Sequence, residues 1–322
     1  AGIHAATDTF HGWPEYIRMI GGEFVTHGPV KEVEFIVEDP SHPATAGLPK
    51  SFKAPEEIYL FNNFSRSSCR VLISLDKHPT TGEPGDYPIS WVKTHGKGRV
   101  FYTAIGHMED LMKQDFFKKH LLGGTKWVIG EAKGESTPLS TIGPAEKAEG
   151  FEPLFNGIDL KGWHLMDPKK ENWSVVDGIL TAPAQSTDLI TDRKFEDFRI
   201  RYEYRIPEGG NSGVYLRGRY EIQILDDHKK VMPDIRGSGA VYDLISPMVF
   251  SSRPAGYWST VDATLTGKRI TVILNGLEVI TDREIERPTG GALDGEEDKP
   301  GPIRLQGDHG PVEFRNIRIK AL

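Results

Sequence analysis

The sequence predicts two domains of different fold class, an α/β domain followed by an all-β sandwich. The chain has 322 residues, which is enough for two hydrophobic cores at ordinary domain sizes. A stretch rich in Gly, Pro, Ser, Thr and charged residues, EAKGESTPLSTIGPAEKAEG, interrupts the apolar pattern at 131–150. Mixed strand and helix patterns precede this break, and strand patterns follow it. We therefore predict a first domain at 1–130, a linker at 131–149 and a second domain at 150–322.

The first domain combines short apolar runs with two stretches of helical spacing. Helical spacing occurs at Trp13–Gly22 and Gln114–Gly130. The apolar runs predict strands at Val33–Val37, Glu57–Phe61, Arg70–Leu75 and Gly98–Gly106. This mixture is typical of an α/β domain.

The second domain shows strict alternation of apolar and polar residues. In FRIRYEYRI, at Phe198–Ile206, every second side chain is apolar, which predicts one core face and one polar face. The same alternation puts Tyr215, Arg217, Glu221 and Gln223 on the polar face of two further strands. Other strands are predicted at Ser259–Leu265, Arg269–Leu274 with an Asn275-Gly276 turn, Ile303–Gln306 and Val312–Ile319. So many short strands predict a jelly-roll sandwich.

Composition excludes several classes of function. The net charge is -7 and charged residues make up 26% of the chain, so there is no basic footprint for nucleic acid. No apolar run approaches the roughly 18 residues that a membrane-spanning helix needs. The single cysteine, Cys69, predicts a bystander thiol rather than a disulfide or a multi-cysteine metal site.

Four segments of the second domain resemble the 3-keto-disaccharide hydrolase family. They are LFNGIDLKGWHL, GGNSGVYLRGRYEIQILD, GYWSTVDATLTGKRITVILNG and GPIRLQGDHGPVEFRNIRI, in this order over 154–319. The resemblance implies a concanavalin A-like jelly roll that cleaves glycosidic bonds of 3-keto-glycosides. The expected partner is an oligosaccharide or glycoside substrate.

The first domain resembles the ThuA-like (trehalose utilisation) family through GIHAATDTF, GGEFVTHGP, EDPSHPATAGLP and PISWVKTHGKGRVFYTAIGH. The resemblance implies part of an α/β fold similar to flavodoxin and to glutamine amidotransferases. Because Gly2-Ile3-His4 opens the chain, we expect the family's leading strands, and any signal peptide, to lie outside this sequence. Both resemblances imply a secreted or periplasmic location.

A 3-keto sugar permits a cleavage that ordinary glycosides do not. The ketone acidifies the proton on C2, so a base can promote elimination of the C1 substituent before water adds. Donors that stabilise negative charge on the ketone oxygen would assist. Arg217, Glu221 and Gln223 form the predicted patch for this chemistry, with Glu221 as a catalytic carboxylate. The alternative is a surface ion pair between Arg217 and Glu221.

Further candidates come from the family motifs. Histidine is the residue type whose side chain most readily exchanges a proton near neutral pH. His309, in the loop Gly307–Gly310, is therefore the leading acid/base candidate, with Asp308 as its orienting partner. Asn211 is a candidate sugar hydrogen-bonder, and Tyr215 and Trp258 are candidates for stacking on sugar rings. Trp258 has a core position as its alternative.

Other functions stay open. A conventional glycosidase is the first alternative. It needs two carboxyl groups at a fixed separation. Gln223 stands where some β-glucanases of this fold have an acid, and this amide disfavours that alternative. A non-catalytic, lectin-like module is the second alternative, because fold does not fix function. In a third, the first domain carries the enzymatic step and the sandwich captures substrate.

Histidines recur in the first domain at predicted strand ends, where open α/β sheets bind ligands. His4, His27 and His107 are the metal candidates, and Asp8 and His42 occur in the same motifs. Their spacings match no standard metal signature. We expect no organic cofactor and leave a divalent cation as an open requirement.

Overall fold

The computed structural model describes residues 1–75, 77–82, 86–170 and 173–322. It separates into two compact units, Ala1–Glu149 and Gly150–Leu322. The first unit mixes strands and helices and the second is a β-sandwich, so the predicted fold classes are confirmed. Among the described residues, no helix has both the length and the apolar character that crossing a membrane requires.

The first unit is built on a mixed sheet with strand order β1-β8-β7-β6-β3-β4, beside which β2 pairs with β5. The β1–β8 pair is parallel and the other pairs of this sheet are antiparallel. The strands are β1 Gly2–Ile3, β2 Glu23–His27, β3 Lys31–Val37, β4 Ser51–Glu56, β5 Tyr59–Asn62, β6 Arg70–Leu75, β7 Tyr87–His95 and β8 Gly98–Thr103. A 3-10 turn covers His4–Thr7, and the helices are α1 Pro14–Ile20, α2 Glu109–Met112, α3 Asp115–Val128 and α4 Pro144–Ala148.

Helix α3 illustrates why these residues are helical. Its buried residues Phe117, His120, Gly124 and Trp127 recur at intervals of three and four and therefore share one face. Phe101 of β8 lies so close to Gly124 that a Cβ added to this glycine would be 2.5 Å from the Phe101 ring. Both predicted helices of this unit are thus present, one residue or more shorter at each end.

The second unit consists of two packed sheets. One has the order β10-β13-β20-β15-β16, and the other the order β11-β12-β21-β14-β17-β18-β19, with β9 paired to β21. The strands are β9 Glu152–Pro153, β10 Trp163–Leu165, β11 Ser174–Val176, β12 Ile179–Ala182, β13 Leu189–Thr191, β14 Phe198–Arg205, β15 Asn211–Leu216, β16 Tyr220–Leu225, β17 Ser259–Thr266, β18 Arg269–Leu274, β19 Leu277–Glu284, β20 Arg304–Leu305 and β21 Val312–Ala321.

Alternation along these strands builds the sandwich core. The core includes the predicted inward residues of β14, namely Phe198, Ile200, Tyr202 and Tyr204, together with Ile206. The inward residues of β15 and β16, Val214, Leu216, Ile222 and Ile224, belong to the same core. The opposite face of β15 and β16 carries Tyr215, Glu221 and Gln223, as the alternation predicts.

Candidate active site

A cavity of about 240 Å³ lies over the polar face of β15, β16 and β20. Polar side chains and two glycines line it, and several of these side chains are almost inaccessible to solvent. The predicted polar face is therefore the floor of a covered cavity. The lining residues are Asn211, Tyr215, Glu221, Gln223, Tyr242, Gly290, Gly291, Arg304, Gln306, Asp308 and His309.

Strand register places Glu221 among these lining residues, opposite Tyr215. Tyr215 is the antiparallel partner of Glu221, and Gly213 is the partner of Gln223. A Cβ on Gly213 would lie 2.3 Å from Glu221 Oε1, so the glycine provides the space that the carboxylate occupies. Tyr215 donates a 2.8 Å hydrogen bond from its hydroxyl to Glu221 Oε2.

The protonation of Glu221 is set by opposing influences. The pKa of Glu221 is raised to about 7, because burial and, to a smaller extent, the charge of Asp188 outweigh the Tyr215 hydrogen bond and the charges of Arg304 and His309, which lower it. A carboxylate with this pKa exists in both protonation states near neutral pH. Proton transfer is most efficient for a group whose pKa lies near the working pH.

Arg304 supplies a buried positive charge beside this carboxylate. Its guanidinium lies 4.2 Å from the centre of the Tyr215 ring, and its Nε donates to Asp188 Oδ2. The other oxygen of Asp188 accepts a 2.9 Å hydrogen bond from the Gly307 amide. Asp188 therefore fixes both the cation and the start of the loop that carries His309.

Three amide side chains add hydrogen-bonding capacity. Asn211 Oδ1 is buried and has no hydrogen-bond partner among the described residues. Gln223 and Gln306 are both buried and line the same cavity. An unpaired buried oxygen is costly unless a ligand satisfies it, so Asn211 Oδ1 can accept a hydrogen bond from a ligand.

Asp308 and His309 stand at the exposed mouth of the cavity. Their side chains are about half exposed, and Asp308 Oδ1 lies 2.5 Å from His309 Nδ1. Adjacent residues seldom pair in this way, but the loop allows it here. Because Nδ1 faces the carboxylate, Nε2 is the nitrogen left for exchanging a proton with a ligand.

Two predicted binding residues lie outside the cavity. Arg217 has a φ of 53°, which ends the strand alternation at Leu216 and opens a tight turn. Its side chain is buried against the Glu196 carbonyl and Asp197, so it does not share the patch with Glu221. Trp258 is buried, and the guanidinium groups of Arg205 and Arg315 lie 4.8 and 4.1 Å from its ring centre. It is therefore buried, as its core alternative requires, but beside these arginines and outside the apolar cluster of the sandwich core.

The first unit gathers its predicted metal candidates around one carboxylate that the sequence analysis did not single out, Glu57. His4 Nε2 and His107 Nδ1 lie 3.8 and 3.4 Å from Glu57 Oε1, and His27 Nδ1 lies 3.2 Å from Oε2. The two other residues from the same motifs lie elsewhere. Asp8 pairs with His11, and His42 is buried against Trp127, where burial lowers its pKa to about 4.

The residues that the sequence analysis missed are Arg304, Asp188, Gln306 and Tyr242 in the second unit. Arg304 and Gln306 could have been found, because they alternate with Ile303 and Leu305 within a predicted strand. Asp188 could not, since nothing local links it to an arginine that lies 116 residues further along the chain.

Residues 150–320 match the family model described as the 3-keto-alpha-glucoside-1,2-lyase-like domain. Residues 1–128 match the model described as Trehalose utilisation. A curated relative, the 3-keto-disaccharide hydrolase of Bacteroides thetaiotaomicron, is 25% identical over 236 residues, which cover 54% of this chain and 79% of the relative.

Solved structures resemble each half of the chain. A proposed glycosyl hydrolase from Parabacteroides distasonis is 30% identical, with a TM-score of 0.47, and the match covers 54% of this chain and 84% of that one. A ThuA-like protein from Parabacteroides merdae is 20% identical, with a TM-score of 0.35, and the match covers 44% of this chain and 63% of that one.

Proposed function

This chain belongs to the 3-keto-alpha-glucoside-1,2-lyase-like family, and we propose that its second unit cleaves 3-keto-glycosides by elimination followed by hydration. Family membership and the name of the curated relative support a carbohydrate hydrolase. The keto-sugar specificity and the mechanism are our proposal, which rests on the cavity around Glu221.

In the first half-reaction Glu221, as the carboxylate, removes the proton from C2 of the keto sugar. The electron pair of the C2–H bond forms the C1=C2 double bond, the C1–O bond breaks, and the departing oxygen takes a proton. In the second half-reaction water adds, placing OH on C1 and H on C2. The sum is hydrolysis of the glycosidic bond, and it needs no oxidant or reductant.

The other lining residues have complementary roles in this proposal. Negative charge develops on the C3 oxygen as the proton leaves, and Arg304 and Gln306, which line the same cavity as Glu221, are the candidate donors that stabilise it. His309, held by Asp308, is the candidate for protonating the departing oxygen. Asn211 and Gln223 are the candidates for positioning sugar hydroxyls.

The observation that carries the proposal is the buried Glu221, whose pKa is about 7, beside a buried arginine. A general base for a carbon acid must be deprotonated and yet basic at the working pH, and this environment provides both conditions. The second carboxylate that lines the cavity, Asp308, is paired with His309 at the mouth.

The proposal is tested by incubating the full chain with a 3-keto-disaccharide and with the same disaccharide unoxidised. We expect release of 3-ketoglucose from the first substrate and no cleavage of the second. Glu221→Gln should abolish release, whereas Glu208→Gln, which removes an exposed carboxylate paired with Lys229, should not. Cleavage of the unoxidised disaccharide at a similar rate would instead indicate a conventional glycosidase.

The same experiment separates the remaining alternatives. Binding of either sugar without turnover would support a lectin-like module. Turnover that survives Glu221→Gln but is lost in His107→Ala would place the chemical step in the first unit.

A further inference from the structure

Three side chains of the first unit converge in a way that the proposed function does not use. The ligand atoms of His4, Glu57 and His107 all lie within 4.8 Å of one another. Two imidazoles and one carboxylate are the donor set found in many zinc sites that keep an open coordination position.

The spacing of these atoms fits a small metal ion. For ligands about 2.1 Å from a tetrahedral ion, the separation between two ligand atoms is about 3.4 Å. Glu57 Oε1 lies 3.4 Å from His107 Nδ1 and 3.8 Å from His4 Nε2. These two separations lie within about 0.4 Å of the tetrahedral value, and the ligand atoms of His4 and His107 lie within 4.8 Å of each other.

His4 provides an independent indication of a ligand. The residue is 8% exposed, and its Nε2 has no hydrogen-bond partner among the described residues. A buried ring nitrogen without a partner costs free energy unless something outside the protein occupies it. This same nitrogen is the one that faces Glu57 Oε1.

The backbone holds His4 and His107 at the end of the sheet where strands β1 and β8 both finish. His4 follows β1 and His107 follows β8, and because these strands are parallel, the residues that follow them meet at the same edge. His4 also has a φ of 41°, a strained value for a residue with a side chain. Strain of this kind is common where a side chain must point at a ligand.

Glu56 and His27 form a supporting layer. Glu56 is fully buried, and its Oε2 accepts hydrogen bonds from the amides of Gly106 at 2.8 Å and His107 at 3.3 Å. Its Oε1 accepts a hydrogen bond from the Glu57 amide at 3.0 Å, so one carboxylate orients two of the three ligands. His27 Nδ1 lies 3.2 Å from Glu57 Oε2, the oxygen that is further from His4 and His107.

We propose that His4, Glu57 and His107 bind one divalent transition-metal ion of the zinc class, with a remaining coordination position open to water or to a substrate oxygen. The open position follows from exposure, since the side chain of His107 is 46% exposed and that of Glu57 is 14% exposed. The site lies within the first unit and is independent of the proposed chemistry at Glu221.

The experiment titrates the chelator-treated full chain with Zn²⁺ by calorimetry and with Co²⁺ by visible absorption. We expect one equivalent of each metal to bind and the Co²⁺ protein to show the intense visible bands of a four-coordinate site. His107→Ala should weaken Zn²⁺ binding more than about 100-fold, because removing a ligand costs more than removing a supporting residue. Glu56→Gln should weaken it about 10- to 100-fold.

The controls keep the result interpretable. His164→Ala removes an exposed histidine that is paired with one carboxylate, Asp192, and should leave the affinity unchanged. Because His4 is buried, the exposed His107 is the primary variant, and thermal unfolding of the apo protein is compared for each variant. Absence of stoichiometric Zn²⁺ binding to the folded wild type, or equal weakening by His164→Ala and His107→Ala, would overturn the proposal.

Discussion

The Tyr215 hydroxyl donates a hydrogen bond to Glu221 from directly across the β15–β16 pair, at 2.8 Å. This contact favours the ionised carboxylate, whereas burial favours the neutral acid. The balance leaves Glu221 able to take up and release a proton near neutral pH.

The pH dependence of cleavage should report the protonation of Glu221. The base acts only when it is deprotonated, so kcat/KM for a 3-keto-disaccharide should fall as pH drops through about 7. Tyr215→Phe removes a hydrogen bond that lowers the pKa of Glu221 and should move this fall to higher pH. Tyr220→Phe removes a comparable hydroxyl, bonded to Glu297 outside the cavity, and should leave the profile in place. Identical profiles for all three proteins would contradict the assignment.

The free energy of unfolding should also depend on the protonation of Glu221. The pKa of Glu221 is about 7 in the folded protein and 4.5 ordinarily. The contribution of this group to the free energy of unfolding is therefore fully present below pH 4.5 and is lost as pH rises through 7. A glutamine does not titrate, so Glu221→Gln does not lose stability in this way. The variant should therefore gain ~3 kcal/mol in free energy of unfolding relative to wild type between pH 4 and pH 8. Urea unfolding at both pH values measures the difference, and a gap that does not change with pH would refute the prediction.

The position of the carboxylate should depend on Gly213. A methyl group there would lie 2.3 Å from Glu221 Oε1 and must displace it. We expect Gly213→Ala to lower kcat/KM about 100-fold while the protein stays folded, because a displacement of about 1 Å is enough for such a loss. Gly290→Ala is the matched control, since Gly290 lines the same cavity and an added Cβ would meet nothing within 4 Å. Comparable losses in both variants would show that the effect is not specific to Glu221.

Two buried arginines should differ in what their lysine variants lose. Arg304→Lys keeps a positive charge but not the planar fork that contacts Asp188 and the Tyr215 ring, so kcat/KM should fall about 100-fold. Arg217→Lys disturbs contacts with Glu196 and Asp197 and should cost about 1–3 kcal/mol of stability without changing kcat/KM. Steady-state kinetics and urea unfolding on both variants distinguish the two roles. A loss of activity confined to Arg217→Lys would contradict the roles assigned here to the two arginines.

The sequence predicted the face on which Tyr215, Glu221 and Gln223 lie, because alternation along a strand is a local property. It did not predict that Arg217 leaves this face. That departure depends on one backbone angle in the turn, and a polar residue in a turn looks the same in sequence as one at the end of a strand. The burial of the face was also missed, since distant loops cover it.

The other features of the two sites that the sequence did not predict depend on contacts between segments that are distant along the chain. Asp188 meets Arg304, and Glu57 meets His4 and His107, only because separate strands and loops converge. Pattern and spacing within one segment carry no information on such contacts. Asn211, predicted from its motif as a sugar hydrogen-bonder, is the first residue of β15 and lines the cavity.

The most direct test of the central claim separates proton removal from bond cleavage. The 3-keto derivative of 1,5-anhydroglucitol has the acidic C2 proton but no glycosidic substituent on C1, so a base in the cavity can exchange that proton with no glycosidic bond to cleave. In D₂O, followed by proton NMR, the wild type should accelerate loss of the C2 signal well above the buffer rate, and Glu221→Gln should not. Exchange at the buffer rate with wild type, or equal exchange with Glu221→Gln, would contradict Glu221 as the base.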